Sequence, residues 1–265
     1  MAQTKTSGKS AKSKKSAKAA KKPVAKSVVK EGAKPRTLAI DIGGTGVKAL
    51  VLDAKGKALT ERVRVETPKP ATPVAVLAAI RTCAKDFGTF ERISCGFPGV
   101  VVNGVVQTAA NLGTEAWRGT DLAKKLSAAF GNVPCRALND AGVQGFGIVE
   151  GKGTEMVLTL GTGMGCALFI DGRYVPNLEL AHHPFHKRKT YEDWIGMKAL
   201  KRVGKHEWNK RVRQVLDQVQ PIFNPRVIYL GGGNAHKLHG KLPKNVKIGD
   251  NVAGLFGGIA LWRET

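Results

Sequence analysis

TLAIDIGGTGVKALVLDAKGKAL, residues 37–59, decides the fold. Apolar residues crowd Leu38–Ile42 without strict alternation, so TLAIDIGG reads as a strand buried on both faces that stops in a glycine turn. ALVLDAKGKAL continues as a hairpin with its turn at Ala54–Gly56. MVLTLGTGMGCALFIDG, residues 156–172, repeats the plan of strand, glycine-rich turn and strand. Two such units in one chain imply an α/β protein of two lobes.

The chain around these units supplies the remaining layers. VRVET (Val63–Thr67) is a third strand. Pro73 opens a helix, PVAVLAAIRTCAKDFG, that Gly88 ends. RISCGFPGVV is a buried strand with a glycine-rich end, and a helix near Thr120–Phe130 has Thr120 as its candidate cap. VPCRALND is a strand that stops on polar residues. Helix covers roughly Tyr191–Phe223, PRVIYLGGG is a strand running into a glycine turn, and Asn251–Trp262 is a last, glycine-broken helix. Residues 1–36 are Lys/Ala/Ser-rich with almost nothing large and apolar to bury, so they are expected to be a disordered tail. The expected division is tail 1–36, N-terminal α/β lobe 37–138 and C-terminal α/β lobe 139–265, the last helix packing back on the first lobe.

The 265 residues carry 43 Lys+Arg against 20 Asp+Glu, a formal charge of +23. Residues 1–36 hold eleven lysines, Arg36 and one acid, Glu31, a charge of +11, which leaves +12 for the rest. The folded part is itself basic, and a polyanionic substrate or partner follows: nucleic acid, polyphosphate or a nucleotide. Cys83, Cys95, Cys135 and Cys166 form no CxxC pair, which argues against a zinc knuckle or a disulfide framework and for reduced thiols in the cytoplasm. No apolar run of about 18 residues is present and the N-terminus has no apolar signal core, so neither membrane nor secretion is expected.

The chemistry concentrates at the strand ends. In Asp41-Ile42-Gly43-Gly44-Thr45 the two glycines expose backbone N–H groups to phosphate oxygens, Asp41 is placed for a Mg²⁺-bound water, and Lys48 follows three residues on. The pattern is not a P-loop, since GxxxxGK[ST] is absent. A plain hairpin also explains one such turn; a second, Gly161-Thr162-Gly163, allows a phosphate chain to be clasped from both lobes. Gly231-Gly232-Gly233 follows another strand, where open α/β sheets bind ligands, though a tight turn into a helix reads the same. Asp140 stands where a strand stops and alone reads as a cap. Glu179, His182 and Glu192 lie beyond a Pro-Asn turn. Carboxylates and an imidazole suit a sugar, whose hydroxyls each donate and accept, while a solvated loop is the bland alternative. His182, His183 and His186 have no cysteine or carboxylate at zinc spacing, so no metal is expected there.

DIGGTGVK, GFPG, TAANLGTEAW, LNDA, LTLGTGMGCALFIDG, ELAH and GGG occur here in the order found in the ROK (repressor, ORF, kinase) sugar kinases. The chain resembles that family over roughly Thr37–Trp262 and within it is most similar to the polyphosphate glucokinases. The resemblance implies the two-lobed actin-like, ribonuclease H-like ATPase fold with the substrate cleft between the lobes. It implies Asp140 as general base and Asn111, Asn139, Glu179, His182 and Glu192 as sugar ligands. Gly43, Gly44, Thr45, Gly161, Thr162 and Gly163 match the phosphate turns, and Gly231, Gly232 and Gly233 the purine-side turn. The family's CxCGxxGC motif is missing, so no structural zinc is expected; Ala181 replaces the usual glycine of ELGH, and Asn234 stands where an apolar residue is common. No helix-turn-helix pattern points to the repressor branch.

The implied activity is phosphorylation of glucose at its 6-hydroxyl, with polyphosphate, ATP or both as donor and Mg²⁺ as cofactor. The alternatives are an ATP-only kinase for another hexose and a non-catalytic polyanion-binding protein on the kinase fold. Asp140, Glu179 and His182 together speak against the last, since a scaffold needs none of them. Lys187, Arg188 and Lys189, beside the sugar loop, are candidate contacts for a long polyphosphate. A polyanion on the basic tail and a homodimer stay open as partners.

Overall fold

The computed structural model describes residue 1, residues 32–249 and residues 256–263. The expected tail therefore lies outside the described residues except for Met1 and its last five positions, and so does the start of the expected C-terminal helix. β1 (Thr37–Ile42), β2 (Gly46–Leu52) and β3 (Val63–Glu66) form an antiparallel meander. α1 (Pro73–Ala84) leads to β4 (Arg92–Phe97), which pairs parallel with β1. A small hairpin, β5 (Val101–Val102) and β6 (Val105–Val106), then α2 (Thr114–Trp117) and α3 (Leu122–Ala129), precede β7 (Cys135–Asn139), parallel to β4. The first sheet thus has the order β3-β2-β1-β4-β7.

α4 (Asp140–Phe146) carries the chain to a second meander, β8 (Thr154–Leu160), β9 (Met164–Ile170) and β10 (Arg173–Val175). A 3₁₀ turn (Leu180–His182), the hairpin β11 (Pro184–His186) and β12 (Lys189–Thr190), α5 (Tyr191–Ile195) and α6 (Met197–Phe223) follow. β13 (Val227–Gly231), a 3₁₀ turn (Ala235–Lys237) and β14 (Val246–Ile248) complete a sheet of order β10-β9-β8-β13-β14. In both sheets a three-stranded antiparallel meander is extended by two parallel strands on the far side of its first strand. The duplication visible at residues 37–59 and 156–172 is therefore a duplication of whole sheets.

Both sheets are buried on two faces, which is why their first strands lack alternation. Leu38, Ile40 and Ile42 pack with Val76, Ile80 and Cys83 of α1, while Ala39, Leu50 and Leu52 pack with Ile259. Ile259 belongs to a terminal 3₁₀ helix (Gly257–Trp262), where a glycine-broken helix was expected. Ser94 of β4 holds this segment by donating to the Gly258 carbonyl at 2.6 Å and accepting from the Trp262 indole N–H at 2.8 Å. In the second sheet Met156, Leu158 and Leu160 face Trp208, Val212, Val215 and Val219 of α6. Val157, Phe169 and Tyr229 pack with Phe146 of α4. α6 is broken at Gly204, whose φ of 77° no helical residue adopts, and ends at Asn224 in the left-handed region.

Two expected boundaries shift. The cap of α3 is Asp121, which accepts from the Lys124 N–H at 2.8 Å, and not Thr120. α1 stops at Ala84, and Gly88 instead serves the following turn with φ 69°. Arg36 is already fixed to the body: its backbone N–H and guanidinium both donate to Glu91, at 2.6 and 2.8 Å.

Glu155 anchors the entry to the second sheet. Its fully buried carboxylate accepts backbone N–H bonds from Glu150, Gly151 and Lys152, one from the Arg226 guanidinium and one from the Tyr229 hydroxyl. Removal leaves three part-buried backbone donors and the Tyr229 hydroxyl without their acceptor, while Arg226 keeps Glu150 at 3.0 Å. Glu155→Ala is expected to cost about 1–3 kcal/mol of stability, measured by denaturant unfolding; a loss well below about 1 kcal/mol would show that the loop finds its hydrogen bonds elsewhere.

Candidate active site

The first glycine turn is closed by a Gly43 N–H to Gly46 carbonyl bond of 3.0 Å, and Thr67 Oγ1 donates to the Gly43 carbonyl. Tight closure sets the register of β1 against β2, which makes Asp41 and Lys48 direct cross-strand partners. Lys48 Nζ lies 2.6 Å from Asp41 Oδ2. The second turn is closed in the same way, Gly161 N–H to Gly163 carbonyl at 3.0 Å. It is held from outside by Met197 N–H on the Thr162 carbonyl at 3.0 Å and by Asn234 Nδ2 on the Gly161 carbonyl at 2.9 Å. Asn234 is buried, and its N–H also bonds Leu160. The polar residue that departs from the family pattern thus ties the third glycine turn to the second.

At the end of β7 the chain turns at once into α4. Asn139 is the cap: its Oδ1 accepts from the Ala141 and Gly142 N–H groups at 3.0 and 3.2 Å, and its Nδ2 donates to the Gly99 carbonyl at 3.2 Å. Asp140, which alone read as a cap, is instead the first helical residue. Its carboxylate lines the cleft between the sheets. Loss of solvent around it, with Asp41 and then Glu179 as like charges, pushes its pKa up to about 7, against the downward pull of the Ala141 N–H and Lys48.

Glu179 precedes and His182 ends a single 3₁₀ turn, with Nε2 of His182 3.5 Å from Glu179 Oε2. Burial raises the Glu179 pKa, His182 opposes the shift and Glu192 adds to it. Glu192, on α5, accepts from the Met164 N–H at 3.3 Å. A Cβ on Gly163 would stand 1.8 Å from Glu192 Oε2, so the glycine lets this carboxylate close over the phosphate turn.

A cavity of about 630 Å³ brings these groups together. Every residue expected from the sequence to act in catalysis or to bind sugar, phosphate or nucleotide lines it, except Gly231, which is buried in β13 beneath the Gln144 side chain. Lys187, Arg188 and Lys189 do not line it; they form the tip of the β11–β12 hairpin, the first two with positive φ. The lining residues that the sequence reading did not single out include Arg62, Arg64, Gln144 and Lys237. The alternation Arg62, Arg64 leading into β3 carried a signal, one strand face repeating a cation; Gln144 and Lys237 carried none. Among the described residues no group of three or more His, Cys, Asp or Glu side chains is gathered for a metal ion.

The signature of the ROK family matches residues 37–177. The polyphosphate glucokinase of Mycobacterium tuberculosis (strain H37Rv) is 32% identical over 242 residues, 82% of this chain and 88% of that protein. The polyphosphate glucokinase of Mycobacterium leprae is 31% identical over 239 residues, 84% of this chain and 73% of that protein. The crystal structure of the inorganic polyphosphate/ATP-glucomannokinase from Arthrobacter sp. strain KM superimposes with a TM-score of 0.79 at 32% identity, covering 86% of this chain and all of that one. A ROK family glucokinase from Streptomyces griseus, solved with glucose and AMPPNP, shares the fold at 21% identity, with a TM-score of 0.72 over 87% of this chain and all of that one. The chain belongs to the ROK family and has the actin-like ATPase fold of its sugar kinases.

Proposed function

We propose that this protein transfers a phosphoryl group from polyphosphate or ATP to the 6-hydroxyl of glucose in the cytoplasm, with residues 37–138 and 139–265 as the two lobes that enclose the substrates. The observation that carries the reading is the placement of Asp140, with a pKa raised to about 7, in one cavity with both closed glycine turns. The similarity to enzymes named polyphosphate glucokinase and polyphosphate/ATP-glucomannokinase supplies the sugar and the donors.

In this reading Glu179, His182, Glu192 and Asn111 bind the sugar hydroxyls. Asn139, with Oδ1 committed to the helix cap and one N–H to Gly99, acts chiefly by aiming Asp140 and has one N–H left for a hydroxyl. The 6-hydroxyl oxygen attacks the terminal phosphorus, the bond from phosphorus to the donor's bridging oxygen breaks, and the hydroxyl proton passes late to Asp140. Gly43 and Gly161 spend their N–H groups on closing the turns, and the backbone N–H groups of Gly44, Thr45, Thr162 and Gly163, with Lys48, meet the charge on the phosphoryl oxygens. A carboxylate with a pKa near 7 is ionised often enough to receive a proton and basic enough to hold it.

Mg²⁺ fits the cleft as an ion shared with the donor's phosphates. Asp41 has one oxygen on Lys48 and a second without a protein partner among the described residues, which suits water-mediated holding of a small hard cation. When bound, Mg²⁺ would neutralise donor charge. Use of ATP alone is the second reading, favoured by Gly232 and Gly233, which line the same cavity. Turnover of a panel of hexoses, with ATP and polyphosphate as separate donors, tests the assignment. No turnover of any hexose with either donor would overturn it.

Asp140→Asn keeps the shape and removes the proton acceptor. Its kcat is expected to fall about 10²–10⁴-fold with a much smaller change in sugar affinity; half of wild-type turnover would remove Asp140 from the chemistry. The same variant is expected to melt higher than wild type at pH 8. Folding raises the proton affinity of Asp140, so wild type loses stability as pH rises from its unfolded-state pKa to about 7. The gap between the two proteins should close towards pH 4, and an equal gap at both pH values would contradict the raised pKa.

Glu179→Gln and His182→Ala are each expected to weaken glucose binding by about 1–3 kcal/mol, because each strands a buried hydroxyl partner. Calorimetry that finds unaltered glucose affinity in both variants would reduce this segment to a loop.

A further inference from the structure

The cleft wall holds cations that no carboxylate neutralises. Arg62 and Arg64 line it at β3 and the residue before it, and Lys237 lines it from the 3₁₀ turn that follows Gly233. Arg64 Nη2 donates to the Thr45 carbonyl at 2.9 Å, and Lys237 Nζ to Asn234 Oδ1 at 2.8 Å. Among the described residues none of the three has an ion-pair partner, whereas Lys48 is paired with Asp41. Arg64 is also the direct cross-strand partner of Lys48. Like charges facing each other across a strand pair are unfavourable, and cations on opposite walls of a cleft focus its field on an anion.

The basic surface continues outward from Lys237. The buried Asn209 side chain of α6 donates to the Lys237 carbonyl at 3.3 Å and accepts from the His239 N–H at 2.9 Å. Arg213, one turn along α6, donates to the His239 carbonyl at 2.8 Å. Arg213 then enters a surface depression of about 340 Å³ with Lys241 and Lys244, where Asp217 is the one acid on the lining. Lys237 and Arg213 are thus fixed to one short stretch of backbone, the first facing the cleft and the second facing the depression.

We propose that this line of cations is the track of an inorganic polyphosphate donor and that it sets the preference for polyphosphate over a nucleotide; the proposal rests on the kinase reading above. The reacting end lies between the glycine turns near Arg64, the chain passes Lys237, and a long chain goes on to Arg213 and Lys241. A nucleoside in the same direction has no charge to offer Lys237 or Arg213. A polyphosphate gains a contact with each, and each contact releases counterions.

The test uses the full chain, saturating glucose, and three donors: ATP, tripolyphosphate and long-chain sodium polyphosphate. Lys237→Gln keeps a donor for Asn234 and removes the charge. It is expected to lower kcat/KM for long polyphosphate about tenfold relative to ATP. Arg213→Ala combined with Lys241→Ala is expected to lower kcat/KM for long polyphosphate at least about threefold relative to tripolyphosphate. In both proteins the log–log dependence of 1/KM on salt should flatten, by about 0.7 for each contact removed. Thermal melts establish that each variant is folded, and should Arg213→Ala/Lys241→Ala melt early, Arg213→Gln/Lys241→Gln replaces it. Unaltered donor ratios, or equal losses on all donors, would overturn the track while leaving polyphosphate-dependent phosphorylation standing. Wild-type turnover with ATP alone would overturn both the track and the polyphosphate half of the proposed function.

Discussion

The chain has to leave a parallel strand and start a helix within one residue, and Asn139 makes that possible. Its amide oxygen takes the first two free N–H groups of α4, and its amide nitrogen reaches across to the Gly99 carbonyl beyond β4. This fixes the first helical residue in direction as well as place. Asp140 is that residue, delivered to the cleft by backbone geometry and not by a flexible loop. Gly96 of β4 packs closely beneath it, where a Cβ would be in ordinary van der Waals contact with the Asp140 backbone at 3.4 Å. As the proposed general base, a carboxylate placed in this way needs little reorganisation before it acts.

The repeated sheets explain why the phosphate turns face one another. Each sheet ends its first strand in a glycine turn, and α4 joins the two sheets while packing against both. The terminal 3₁₀ helix sits against β1 and β4 and also against α4, so it braces the same junction. Glu192 of α5 completes the arrangement by reaching onto the Gly163 turn.

The sequence revealed what depends on local chemistry. Buried strands ending in glycine turns are legible because an apolar run closed by glycines has few stable forms besides a covered strand and a tight turn, and both turns form where residues 37–59 and 156–172 place them. Short-range features were less so. Asp121 and Thr120 are both good caps, and only the tertiary course of the chain selects Asp121. Asp140, read alone as a cap, is the first helical residue and Asn139 the cap for the same reason. Lys237 and Arg64 were invisible as a pair because they belong to different halves of the chain and meet only across the folded cleft. The exclusion of Gly231 from the cavity follows from the close approach of Gln144, which no spacing rule encodes.

The proposed mechanism depends on one electrostatic condition: the fold raises the Asp140 pKa to about 7 through lost solvent and the like charge of Asp41. A ¹³C NMR titration of the aspartate carboxyls, with Asp140→Asn used to assign the resonance, measures this directly. The expected result is a midpoint near pH 7 for Asp140, moving down when Asp41→Asn removes the like charge. A midpoint of about 4, unaltered by that substitution, would contradict it.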